Sequence, residues 1–140
     1  MRNDKKTRSY LGIAAILTAL GAWMAVVCYS IATEPEKGAG SIGELQSEAA
    51  NAIHNRDAEA FQNLFDEDTV GNSYSSNYMK RLEGISTESA RAASAIHLGD
   101  TYIVLRFDGK EGTFCTSWLV TAKGNRKFLD ASPTGWNACS

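Results

Sequence analysis

The chain loses every charged side chain between Tyr10 and Ala32. Inside that window Leu11 to Ile31 reads LGIAAILTALGAWMAVVCYSI, about 21 residues and so a helix roughly 31 Å long, the thickness of a hydrocarbon core. Thr33 to Gly40 (TEPEKGAG) then mixes Gly, Pro and charge and reads as a short flexible tether. Ser41-Ile42-Gly43-Glu44 has the S-x-x-E form of a capping box. Behind it Ile42, Leu45, Ala49, Ala52 and Ile53 recur at helical spacing, which predicts an amphipathic helix from about Ile42 to Asn55. Asp57 is placed to cap a second, shorter helix whose buried side is Ala58, Phe61, Leu64 and Phe65 and which ends in Asp66-Glu67-Asp68. Gly71 to Ser76 reads as a polar loop, and Tyr78, Met79 and Leu82 as a further amphipathic turn or two closing at Gly84.

Ser86 to Arg91 fits helix and strand equally, and after it the pattern changes to period two. Ile96 and Leu98 run into Gly99-Asp100, a turn signal. From Thr101 to Phe107 the positions Ile103, Leu105 and Phe107 alternate with Tyr102, Val104 and Arg106, which predicts a strand with two distinct faces. Asp108 to Gly112 reads as a hairpin loop, Thr113 to Ala122 as a second long strand, Lys123 to Arg126 as a tight turn and Lys127 to Asp130 as the closing strand. Helices followed by an antiparallel meander define an α+β class, with the helices covering one sheet face. The expected organisation is a basic tail over 1–9, a transmembrane helix over 10–32, a tether over 33–40 and a small α+β domain over 41–140.

Charge adds a direction to this layout. Ahead of the apolar segment Arg2, Lys5, Lys6 and Arg8 face Asp4, a side-chain balance of +3, whereas from Thr33 onward 10 bases face 15 acids, a balance of −5. The positive-inside rule therefore predicts a cytoplasmic N-terminus, a single pass through the cell membrane and an extracytoplasmic domain. Ser30-Ile31-Ala32 also offers the small residues of a signal-peptidase site, although the apolar run exceeds a signal's usual h-region. Lipid attachment at Cys28 is a third reading, with Val where a lipoprotein signal has a small residue. Gly12, Ala15 and Ala19, and Gly21, Ala22 and Ala25, form small-residue surfaces at helical spacing that suit either lipid or another span. A sequence pI near 5.7 leaves no basic surface for nucleic acid, and the acidic domain is unsuited to lying flat on an anionic leaflet.

Of the three cysteines, Cys28 sits in the apolar segment and Cys115 and Cys139 lie outside it. Two thiols in an oxidising compartment predict a Cys115–Cys139 disulfide that fastens the C-terminal tail, with Trp136, onto the sheet. With no C-x-x-C, and with His54 and His97 at no ligand spacing, the sequence predicts neither a metal site nor a cofactor. Asp66-Glu67-Asp68 lacks the Gly-centred loop of a calcium site and reads as a solvated helix end, and His54 as a helix-terminal residue. No nucleophilic triad or phosphate-cradling loop is present. The catalytic candidates are His97 and Asp130, an acid–base pair only if the fold brings them together, with Tyr102 and Trp118 nearby on strands. Phe107, Phe114, Trp118, Phe128 and Trp136 fill a core or line an apolar cavity.

The stretch Asn55 to Asp66, NRDAEAFQNLFD, together with Ser117-Trp118-Leu119-Val120 and Phe128-Leu129-Asp130, resembles the nuclear transport factor 2-like superfamily over roughly Ser41 to Ser132. That resemblance implies three helices on a strongly curved antiparallel sheet, making a cone with an open pocket. Thr69 to Ser76 is a poor match to the family's first short strand. The layout of tail, span, tether and cone is similar to small bacterial envelope proteins, among them those associated with mammalian-cell-entry lipid transporters and the inner-membrane bridge components of type IV secretion. Such a layout implies a non-enzymatic accessory or protein-interaction module that meets membrane or envelope proteins, or itself. The alternatives are a small-ligand or lipid-binding domain assisting transport, and a cone-fold isomerase or dehydratase using His97 and Asp130.

Overall fold

A computed structural model describes residues 4–33, 36–109, 112–133 and 136–139. It divides into two units, Met1–Pro35 and Glu36–Ser140. The first is the helix α1 (Asp4–Thr33). Within it Gly12–Ser30 is long and apolar enough to cross a membrane, and no part of that span is buried against protein. Its two aliphatic hydroxyls bond inside the helix: Thr18 Oγ1 donates to the Ala14 carbonyl at 2.8 Å and Ser30 Oγ to the Val26 carbonyl at 3.0 Å. Hydrocarbon offers polar groups no other partner.

The second unit is α+β, with three helices, α2 (Ile42–Asn55), α3 (Ala58–Gln62) and α4 (Tyr74–Arg81), and four strands, β1 (Arg91–His97), β2 (Asp100–Gly109), β3 (Gly112–Lys123) and β4 (Arg126–Asp130). The strands form one antiparallel meander in the order β1-β2-β3-β4. Ser41 caps α2 by accepting from the Glu44 N–H at 3.1 Å, while the Glu44 carboxylate reaches back to the Gly40 N–H at 2.6 Å, one residue before the capping-box position. Arg56 ends α2 in the left-handed region at φ 55°, and its guanidinium donates to the carbonyls of Leu82 and Ile85, tying the end of α2 to that of α4.

Local pattern and structure part company in several places. The α3 helix stops at Gln62, because Leu64 and Phe65 leave it to pair with β4: Leu129 N–H donates to the Leu64 carbonyl and Asp66 N–H to the Leu129 carbonyl. The α4 helix starts at Tyr74, inside the expected loop, and no strand occurs among the described residues 69–76. Ser86 to Ala90 is neither helix nor strand. The latter part of the expected tether is docked rather than free, with Ala39 fully buried and exchanging two hydrogen bonds with Lys127. Gly38 permits this approach, since a Cβ there would sit 2.6 Å from the Phe128 ring, and its φ of +68° favours glycine. Residues 34–35 of the tether, the N-terminal residues 1–3 and Lys110-Glu111 of the expected hairpin loop lie outside the described residues.

The core fills the space between the helices and one sheet face. Ile103, Leu105, Phe107, Trp118 and Leu129 face Leu45, Ile53, Phe61, Phe65 and Leu82. Trp118 makes edge contacts with Phe61, Phe65 and Tyr78, and its indole N–H donates to the Tyr74 hydroxyl at 2.9 Å. The opposite face is crossed by the C-terminal tail, fixed by the disulfide Cys115–Cys139. There Trp136 stacks on His97 with ring centroids 4.5 Å apart and meets Tyr102 edge-on. The disulfide bridges positions 24 residues apart, and loop-closure entropy gives it about 3 kcal/mol of stabilisation. Cys139→Ser should lower the unfolding free energy by about that amount, read by denaturant unfolding with and without reductant, and reductant should then have no further effect on the variant.

Candidate functional site

Alternation along the strands assigns every sheet residue to a face, and cross-strand register sets its neighbours. On the face away from the helices, Arg91 lies opposite Arg106, Ala93 opposite Val104, Ala95 opposite Tyr102 and His97 opposite Asp100. Next on β3 come Cys115 beside Arg106, Ser117 beside Val104 and Leu119 beside Tyr102, with Asp130 of β4 beside Leu119. His97 and Asp130 therefore share a face but stand on opposite edge strands with β2 and β3 between them and two residues out of row, roughly 16 Å apart at ordinary strand spacing. They are not brought together as an acid–base pair. His97 is engaged with Trp136 instead, and an Asp130 oxygen accepts from the Ser132 N–H at 2.7 Å.

The other sequence candidates have structural partners. Tyr102 meets Trp136 edge-on, and Trp118 belongs to the packed helix side, as does Tyr78, whose hydroxyl meets Thr116 Oγ1 at 2.8 Å. Burial pushes the Tyr78 phenol up to about 12, so it stays protonated. The Lys123 ammonium donates to Asp66 and Asp68, each at 2.6 Å, and Lys37 pairs with Glu67. Each acid of the cluster is thus paired with a lysine, and among the described residues no group of three His, Cys, Asp or Glu is arranged to hold a metal.

Two features remain with chemistry to offer. One is a cleft of about 560 Å³ on the tail-bearing face, walled on one side by Trp136 and Ala138 and floored by Ala93, Ala95 and Val104. Its polar end holds Arg91, Arg106 and Asp108. Among the described residues neither guanidinium has a carboxylate within ion-pair distance, and Arg106 donates a 3.4 Å hydrogen bond to the Ala138 carbonyl of the tail. Sequence reading missed this pair because it places the turn at Gly99-Asp100, which sets Arg91 against Asp108. The turn is Leu98-Gly99, and moving a turn by one residue slides the register by two.

The second feature is the free edge of β1. In a two-residue hairpin the residues flanking the turn form a hydrogen-bonded pair, and pairing then alternates along the strand. On β4 this rule sends the backbone groups of Lys127 and Leu129 outward, and each finds both partners, Lys127 on Ala39 and Leu129 on Leu64 and Asp66. On β1 the same rule sends the N–H and C=O groups of Ala92, Ser94 and Ile96 outward, and among the described residues nothing pairs them. At the hairpin tip Ile96 and Leu98 are 76% and 92% exposed, and Leu98 adopts φ 51°, a conformation costly for a bulky side chain.

No protein-family model, curated protein or solved structure matches the chain.

Two outcomes follow from these electrostatics and this backbone. Hydrogen bonding to Lys123, opposed by burial, holds the Asp66 carboxyl below the usual carboxylate range. A carboxyl so depressed stabilises the fold at neutral pH and stops doing so as pH falls through its lowered value. Lys123→Gln should therefore move acid unfolding, followed by near-ultraviolet circular dichroism, to higher pH. Leu98→Asn, which suits the left-handed region, should raise unfolding free energy by about 1 kcal/mol. A loss of stability would show that the exposed leucine packs.

Proposed function

We propose that this protein is a single-pass membrane protein whose domain, held outside the cytoplasm, is a non-catalytic interaction module that pairs with a second copy of itself through β1. The open edge of β1 is the observation that carries this reading. An unpaired strand edge is a template for another strand, and soluble proteins normally guard it with Lys, Pro, a bulge or a covering segment. Segments from residues 36–66 cover β4, whereas β1 reads RAASAIH, with its only certain charge at one end.

A second copy suits this edge because the outward groups are symmetric about Ser94. Antiparallel self-pairing would set Ser94 against Ser94, and Ala92 against Ile96, as hydrogen-bonded pairs, with no acid facing acid and Arg91 facing His97 rather than another Arg. Pairing by one strand covers less surface than a stable soluble interface needs. A membrane anchor that confines both copies to one plane raises their effective concentration and offsets that shortfall.

Orientation rests on two independent features. The N-terminal balance of +3 favours retention in the cytoplasm, and a Cys115–Cys139 disulfide belongs to an oxidising compartment. Three helices on one face of an antiparallel meander support reading the domain as nuclear transport factor 2-like.

The test is Ser94→Cys in a Cys28→Ser background, in membranes of the producing cell. Hydrogen-bonded antiparallel partners have Cα atoms about 5.5 Å apart, within disulfide reach, so mild oxidation should give a covalent dimer on non-reducing gels. Cysteine at exposed Ser76 should give none. Ser94→Pro, which removes one outward N–H and no β1–β2 bond, should abolish chemical crosslinking of otherwise wild-type chains. Monomers throughout would overturn the proposal.

A further inference from the structure

The cleft on the tail-bearing face has a chemistry of its own that does not depend on strand pairing. Arg91 and Arg106 stand directly opposite each other on the same face of adjacent strands. Like charges in that position destabilise a sheet. No carboxylate within ion-pair distance relieves them among the described residues. Asp108 lines the same end, where its own oxygen accepts from the Thr113 hydroxyl at 3.0 Å. The three side chains leave the cleft's polar end one positive charge in excess, matched by a monoanion.

Polarity changes along the strands. One strand step of two residues beyond the arginines lie Ala93 and Val104, and one step further Ala95 and Tyr102. Val104 and Tyr102 are buried although they face away from the helices, because the tail and Trp136 lie over this part of the sheet. From the arginine row to the Ala95 row is four residues, about 13 Å of strand. The volume of about 560 Å³ falls in the range of ligand sites, roughly 300–1,000 Å³. A cationic end opposite an apolar trough is complementary to an amphiphile with an anionic head.

We propose that this cleft binds a free medium-chain aliphatic carboxylate, its head between the guanidiniums of Arg91 and Arg106 and its chain along Ala93, Val104 and Trp136. Arginine forks accept a planar carboxylate through paired N–H donors. The small side chains of β1 leave room for the alkyl chain. The tail wall is held by Cys139 to Cys115, itself the register neighbour of Arg106, so the site is complete only while the disulfide is intact.

The test is photolabelling of the full chain, in nanodiscs of neutral phosphatidylcholine, with a diazirine analogue of decanoate, mapped by mass spectrometry. Label in the span α1 reports probe in the bilayer and serves as the internal standard. Expected is label on β1 and the tail around Trp136, reduced at least tenfold relative to the span by joint Arg91→Gln and Arg106→Gln substitution, and reduced likewise by Cys139→Ser. Unlabelled decanoate should compete, while decanol should not. Domain labelling that survives loss of both arginines, or decanol competing as well as decanoate, would overturn the proposal. Decyl phosphate competing more strongly than decanoate would overturn the carboxylate assignment.

Discussion

Trp118 joins the two layers of the domain, and most of the fold depends on its being filled around. It projects from β3 toward the helices and touches Phe61 of α3, Phe65 beyond it, and Tyr78 of α4, while its indole N–H is taken by Tyr74. The α3 helix has five residues and α4 eight, both too short to persist alone in water. Aromatic packing on one indole supplies what local propensity does not. The same packing fills the space between the helices and the middle of the sheet.

Those remaining surfaces are unequal. Residues 36–66 cover β4 by two separate bridges, one through Ala39 and one through Phe65. The tail, locked by a disulfide, lies over His97 and Tyr102 on the outer face. Left open are the edge of β1, the hairpin tip with Leu98 in a costly conformation, and the cleft between the two arginines. Among the described residues the strained Leu98 and the unpaired backbone groups both lie on β1 and its hairpin, whereas the other sheet edge, β4, is covered.

Much of this was legible beforehand. Apolar periodicity located α2, Asp57 the start of α3, and alternation both faces of β2, since each signal is carried by neighbouring residues whose geometry the backbone dictates. The Cys115–Cys139 bond followed from counting thiols outside the apolar segment. By contrast the end of α3 depended on Leu129, some sixty residues away, and the docking of Ala39 depended on Lys127. The arginine pair was hidden by a single-residue error in the turn. Leu98 is a poor residue for a left-handed position, so turn chemistry favoured Gly99-Asp100 instead.

The sequence by itself determined the apolar segment long enough to cross a membrane, the α+β class and the order of its elements, because hydrophobic period and turn residues act over a few positions. Only the tertiary structure decided which sheet face is filled, which edge is covered, and which charges meet across strands. Those depend on register and on segments that return from far along the chain, and a shift of one residue changes every neighbour.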